Sequence, residues 1–268
     1  MAISYKSVEI HFSYDTMKQM VTIPKQIEEL FAAKAHLGHK TNRIHPKAKK
    51  YIYTIQNSVS IIDLEKTVHL LEEAKKFVQE LAKQNKILLF VATKKIASSQ
   101  IQALCQKASI PFVTSKWPAG LLTNFETITK NIKKLVQMKK DKEEGAWNKF
   151  VKYERVKLEK ELAKFEKTYG GLIQLEKLPD AFFIVDIKKE KNSVSEAHKK
   201  SIPIIAITDT NVDPDLADYP IPANDDSLLS IEYIANQIVE AYVKAKKPPL
   251  VPLLNKEGIK GRSSVLNL

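Results

Sequence analysis

Cysteine is almost missing from this chain of 268 residues: Cys105 stands alone. One thiol excludes an intramolecular disulfide and any multi-cysteine metal centre, and it suits a reducing compartment. It shares an apolar-periodic stretch with Ile101, Leu104 and Ala108, so buried filler is the expected role and nucleophile is not. Glycine is scarce too, with 7 residues, and neither GxxxxGK[ST] nor GxGxxG occurs. The turns Ala92-Thr93-Lys94 and Asp186-Ile187-Lys188 lack the glycines that let backbone approach a phosphate, which argues against a nucleotide enzyme. No apolar run approaches the ~18 residues of a membrane span. Residues 1–22 hold Glu9 and Asp15 and no apolar core, unlike a secretory signal, and they lack the arginine bias of a transit peptide. Arginine supplies only 3 of 43 basic residues, Arg43, Arg155 and Arg262. Lysine point charges suit phosphate contacts better than bidentate base reading.

The most telling absence is of acid: no Asp or Glu lies between Leu30 and Ile62. That stretch carries Lys34, Lys40, Arg43, Lys47, Lys49 and Lys50, with His36, His39, His45, Thr41 and Asn42 as hydrogen-bonding groups and Tyr51 and Tyr53 as flat surface. Gly38 and Pro46 punctuate it, and no regular apolar period runs from 34 to 50. Cations with donors and aromatics predict an extended basic arm on a polyanion, RNA foremost.

Net charge is +12, and it is segregated. Residues 128–168 hold 13 basic and 7 acidic side chains, whereas residues 171–243 hold 6 basic and 13 acidic. Residues 244–268 carry +5. A one-sided electrostatic footprint requires such a division.

The apolar pattern predicts an α/β fold. A short helix spans Lys25 to Ala33; short strands follow at Tyr51–Ile55 and Val59–Ile62, joined by a turn at Gln56-Asn57-Ser58. Asp63 is placed to cap a helix over Lys66–Gln84. Lys86–Ala92 and Asp180–Asp186 are near-continuous apolar runs, as strands buried on both faces require. Helices over Lys94–Ala108, Ser193–Lys200 and Asp225–Lys246 alternate with further strands at Pro111–Val113, Ile202–Thr208 and Asp218–Pro222. This alternation gives a parallel sheet covered on both faces. Between the halves, Thr123–Lys140 and Trp147–Tyr169 carry apolar residues at three–four spacing, predicting an antiparallel, coiled-coil-like helical hairpin closed by Gly170-Gly171. The resulting organisation is an extension (1–22), a first α/β part (23–127) containing the basic arm (34–50), an inserted hairpin (128–171), a second α/β part (172–246) and a basic tail (247–268).

Other chemistry has weak support. Asp209, Asp213 and Asp215 follow a strand end and would serve a Mg²⁺-dependent or nucleotide-binding enzyme, the alternative function; Asp, Asn and Pro together favour a plain turn. His36 and His39, with His45, have a metal-like spacing but lack the Glu of HExxH and lie in a loop, so zinc is disfavoured. Trp117 would either stack on a base or seal the sheet edge, and sealing is commoner.

AHLGHKTNRIHPKAKKYIY, NSVSIIDLEKT, KILLFVATKK, KWPAGLLTNFETI, LPDAFFIVD and IPIIAITDTNVDPDLADYPIPANDD occur in this order from about Ile23 to Lys246. In content and order they resemble the bacterial-type ribosomal protein S-two family of the small subunit. The resemblance implies a flavodoxin-like α/β domain with an inserted hairpin, bound to small-subunit rRNA near the head–body junction and joining late in assembly. It implies neighbouring ribosomal proteins, among them ribosomal protein S-one, and no catalytic activity, cofactor, membrane or homo-oligomer. The setting would be a bacterial cytoplasmic ribosome or an organellar one. Where the family commonly has RWLGG this chain has Lys116-Trp117-Pro118-Ala119-Gly120, a stiffer turn with one permissive glycine fewer. The expected rRNA contacts are His39, Lys40, Asn42, Arg43, Lys47, Lys49 and Lys50 on the arm, then Lys94, Lys95, Lys116 and Asn124.

Overall fold

The structure, a computed structural model, describes residues 25–246; the expected extension at 1–22 and the basic tail at 247–268 lie outside the described residues. Helix α1 (Lys25–Ala32) leads into a small antiparallel sheet of β1 (Leu37–Lys40), β2 (Ile52–Gln56) and β3 (Val59–Ile62), in the order β1-β3-β2. Asn57 and Ser58 turn β2 into β3 with φ of +49° and +62°, left-handed positions that an Asn-led turn tolerates. Asp63 then caps α2 (Leu64–Lys83), its carboxylate accepting the N–H groups of Glu65 and Lys66. Leu71, Ala74, Val78 and Leu81 form the buried stripe of α2, at the three–four spacing of an amphipathic helix.

The main sheet contains β4 (Leu88–Val91), β5 (Phe112–Val113), β6 (Ala181–Ile184), β7 (Ile204–Thr208) and β8 (Tyr219–Pro222), all parallel, in the order β5-β4-β6-β7-β8. Counted within this sheet the order is 2-1-3-4-5, the flavodoxin-like arrangement. Every residue of β4, β6 and β7 is buried, as the apolar runs require. Period-two alternation divides them: Leu88 and Phe90 face one layer, Leu89 and Val91 the other. The first layer is α2, α3 (Ser98–Ala108) and α7 (Leu228–Ala245); the second is α6 (Lys191–Lys199) with the first turns of α4 (Phe125–Glu143). Pro220 and Pro222 sit in β8, an edge strand, where a missing N–H is tolerated.

The hairpin of α4 and α5 (Lys152–Tyr169) is held in two ways. Ile128 and Ile132 belong to the core under the sheet, while Leu135 and Met138 are buried with Trp147 and Leu162 of the hairpin itself, flanked by half-buried Leu158, Phe165 and Tyr169. The distal half thus stands on its own four-residue core. Trp147 lies in a 3-10 turn (Ala146–Lys149) and not in α5, which begins at Lys152. Gly171 ends the hairpin where Phe112 leaves no room for a side chain.

Two local expectations are corrected. α3 starts at Ser98, not Lys94: the Lys94 carbonyl accepts from Ala97 and Ser98 in a preceding turn, and its side chain is committed elsewhere. α4 starts at Phe125, not Thr123, after a cap position at Asn124 whose side chain makes no cap bond. Trp117 takes the commoner of its two expected roles: 6% exposed and edge-on to Phe182 at 6.0 Å, it seals the sheet and is not a stacking platform. In the departing KWPAG segment the turn is made by Gly120 at φ +87°, so Ala119 costs the fold nothing that Gly120 does not supply.

Candidate nucleic-acid interface

The basic arm does not project; it is folded across the carboxyl ends of β7 and β8. Its apolar residues are few but well placed, with Ala35 and Ala48 buried. Asn224 donates its backbone N–H to Ala35 O (3.0 Å) and its side-chain amide to Lys34 O (3.1 Å). The His39 N–H donates to Thr210 Oγ1 (2.9 Å) and the His45 N–H to Thr210 O (2.8 Å). Gly38 makes this closeness possible, for a Cβ there would stand 2.5 Å from Ser60 Oγ and 2.7 Å from Thr210 Cγ2.

Charge completes the docking. Lys47 Nζ lies 2.9 Å from Asp213 Oδ2 and 3.0 Å from Asp215 Oδ2, and Lys50 Nζ lies 3.3 Å from Asp215 Oδ1. The Lys47 hydrogen bonds hold both carboxyls below the usual range. Deeper in, His39 Nδ1 meets the buried Asp209 Oδ1 at 3.1 Å, and its Nε2 lies 3.6 Å from Asp226 Oδ2. Lys94 Nζ reaches Asp226 (2.6 Å), Asp225 (2.9 Å) and Asp186 (3.7 Å). The bond to Asp209 raises the His39 pKa against the opposing effect of burial. Burial works to lower Lys94, yet its three carboxylates bring it above the usual value. Burial, with Asp209 and Asp186 nearby, pushes Asp225 up to about 7 despite Lys94. The acidic sheet end therefore neutralises part of the arm.

The cations left over are the ones that can meet an external anion. Lys40, Arg43 and Lys49 are exposed and make no salt bridge among the described residues, and Asn42 lies exposed in the 3-10 turn Thr41–Arg43 between them. Of the second group, Lys94 joins the arm through Asp226, while exposed Lys95 stands beyond the end of β4, on the α3 side. Lys116 and Asn124, both exposed, belong to the loop between β5 and α4 and have no tie to the arm. That loop is fixed by Glu196 of α6, which accepts from Trp117 Nε1 (3.0 Å) and from the N–H groups of Gly120 (2.9 Å) and Leu122 (3.0 Å). Burial would raise its pKa, but these donors hold it below the usual range. On the hairpin, Lys134 and Lys139 pair across to Glu161 and Glu166 at 2.6 and 2.7 Å, which ties α4 to α5.

No metal or catalytic constellation forms from the candidates. His36 stacks on Phe31 at 4.2 Å, His45 Nδ1 accepts the Lys47 N–H at 3.4 Å, and His39 is bound to Asp209. Among the described residues no group of three potential ligands is placed to hold a metal. Asp209 turns inward to His39 and Thr210 while Asp213 and Asp215 take Lys47, so the three carboxylates proposed for Mg²⁺ do not converge. Burial pushes the Cys105 thiol up to about 12, which leaves it without thiolate character at neutral pH. Among the described residues no helix is long and apolar enough to cross a membrane.

Sequence reasoning missed Asp186, Asp225, Asp226 and Glu196. The Asp225-Asp226 doublet after a strand was a usable signal, but it read as the start of α7. Glu196 gave none, being one acid on an amphipathic helix. A family model described as Ribosomal protein S2 matches residues 30–245 of the chain.

Proposed function

Given that the chain belongs to the ribosomal protein S2 family, a non-enzymatic family whose membership implies a structural role in the small ribosomal subunit, we propose that it binds small-subunit rRNA through the phosphate backbone. The docked arm and the hairpin carry the contacts. One observation supports this above the others: Lys40, Arg43 and Lys49 stay exposed and unpaired in an acid-free segment where Lys47 and Lys50 are already neutralised from within. Lysine-dominated contact of this kind fixes position and register without reading bases. His39 and Lys94 act behind it, holding the arm in place, and Lys47 and Lys50 are divided between phosphate and Asp213 and Asp215.

The test is the salt dependence of binding to small-subunit rRNA. Each phosphate neutralised contributes about 0.7–0.9 to the slope of log K against log salt. Replacing Lys40, Arg43 and Lys49 together by alanine is expected to flatten the slope by about two units, with little change in sequence preference. Lys47→Ala is expected to change it less, because two carboxylates already hold that ammonium. A triple variant with the wild-type slope would remove the arm from the interface.

A further inference from the structure

We propose that a second cleft, distinct from the docked arm, receives a segment of RNA sugar–phosphate backbone. It lies where β4 and β5 end, between the start of α3 and the root of the hairpin, and encloses about 700 Å³. The inference rests on the rRNA-binding reading above and extends it to a different face.

Four lysines reach this cleft from three places in the chain: Lys95 after β4, Lys139 and Lys167 on the two hairpin helices, and Lys189 after β6. The one acid lining it, Glu166, is held by Lys139 at 2.7 Å. Lys95 and Lys167 have no carboxylate partner among the described residues. Lys189 donates one proton to Thr93 O at 2.6 Å, and an ammonium has two more to give. Three positive charges thus face one space uncompensated, the reverse of the arm, where acids were drawn in.

The remaining lining discriminates between ligands. A small-molecule site is mostly apolar with a few polar anchors; this one is lined by hydroxyls and amides, Ser99, Gln102, Gln106 and Thr114 among them. Nucleotide enzymes of this sheet class bind phosphate on a glycine-rich turn at the strand ends, and Ala92-Thr93-Lys94 has no glycine. Gly171, which lies in the wall, is filled against Phe112 and offers no backbone cradle. Spaced ammonium groups with hydroxyl and amide donors between them match a run of phosphates and ribose hydroxyls. Because two of the lysines belong to the hairpin, RNA held here also fixes the angle at which the hairpin leaves the sheet.

The experiment compares full-length wild type with the variant Lys95→Ala/Lys167→Ala/Lys189→Ala on small-subunit rRNA over a salt series, with thermal melts confirming equal folding. The expected result is a slope shallower by about two units, at ~0.7 per single-strand phosphate, and loss of ultraviolet crosslinks to peptides bearing residues 95–107 and 164–171. A variant that keeps the wild-type slope and crosslinks overturns the proposal while leaving the arm's role intact. So does saturable binding of AMP or inorganic phosphate that the variant abolishes while RNA binding is unchanged, which would make the cleft a small-anion site. Wild type that binds no rRNA removes the premise, and the cleft with it.

Discussion

Glu196 shows how one side chain can fix a loop. Its two carboxylate oxygens accept from Trp117, Gly120 and Leu122, so the loop carrying Lys116 and Asn124 has its donors satisfied by a helix about 75 residues later in the chain. Hydrogen bonds to a charged acceptor contribute about 1.5–3 kcal/mol each, non-additively. Glu196→Ala is expected to lower the unfolding free energy by about 2–3 kcal/mol in urea titration, and to free the Trp117 indole, read as a red-shifted emission. Unchanged stability and emission would refute that role. None of this was legible, because a lone acid on an amphipathic helix has no partner visible in linear sequence. The Asp63 cap was legible because its partners lie within three residues. The bond of His39 to Asp209 was equally hidden, since that partner lies 170 residues away.

At the scale of elements, periodicity located nearly every strand and helix, and failed where side chains answer to distant groups. The start of α3 is displaced because Lys94 is drawn to Asp225 and Asp226. The distal hairpin follows its stripe, with Leu135, Met138, Trp147 and Leu162 as the buried members of its own core. So small a cluster is sensitive to one deletion. Trp147→Ala removes the largest member, and core aromatic truncations cost about 3–5 kcal/mol. The loss should be local: faster proteolysis and amide exchange around residues 141–151, with the sheet's own unfolding midpoint little moved. A shift of the whole transition with no local loosening would show the hairpin and sheet to be one cooperative unit.

For the molecule as a whole, the buried ion cage sets a pH response. From about pH 4 to about pH 7 native Asp225 holds a proton that the unfolded chain has lost, so stability falls as pH rises through that window. Glu190, raised by burial, acts in the same sense. His39, raised by Asp209, adds stability that is full below its ordinary value of 6.5 and is lost as pH climbs through its folded value. All three slopes agree, and they outnumber the opposite slope of His36, whose pKa burial lowers. The thermal midpoint is expected to drop between about pH 5.5 and about pH 8, and Asp225→Asn to flatten the part below pH 7. A midpoint that rises over that range would contradict the cage.

The docking of the arm also orders events in time. His39 and Thr210 are 171 residues apart, so the basic segment leaves the translating ribosome long before the acids that neutralise it exist. Until Asp213 and Asp215 have been added, all six of its lysine and arginine charges are uncovered. The nascent chain is thus a stronger polycation than the finished protein, and the synthesis of the turn between β7 and β8 is the step that masks part of that charge.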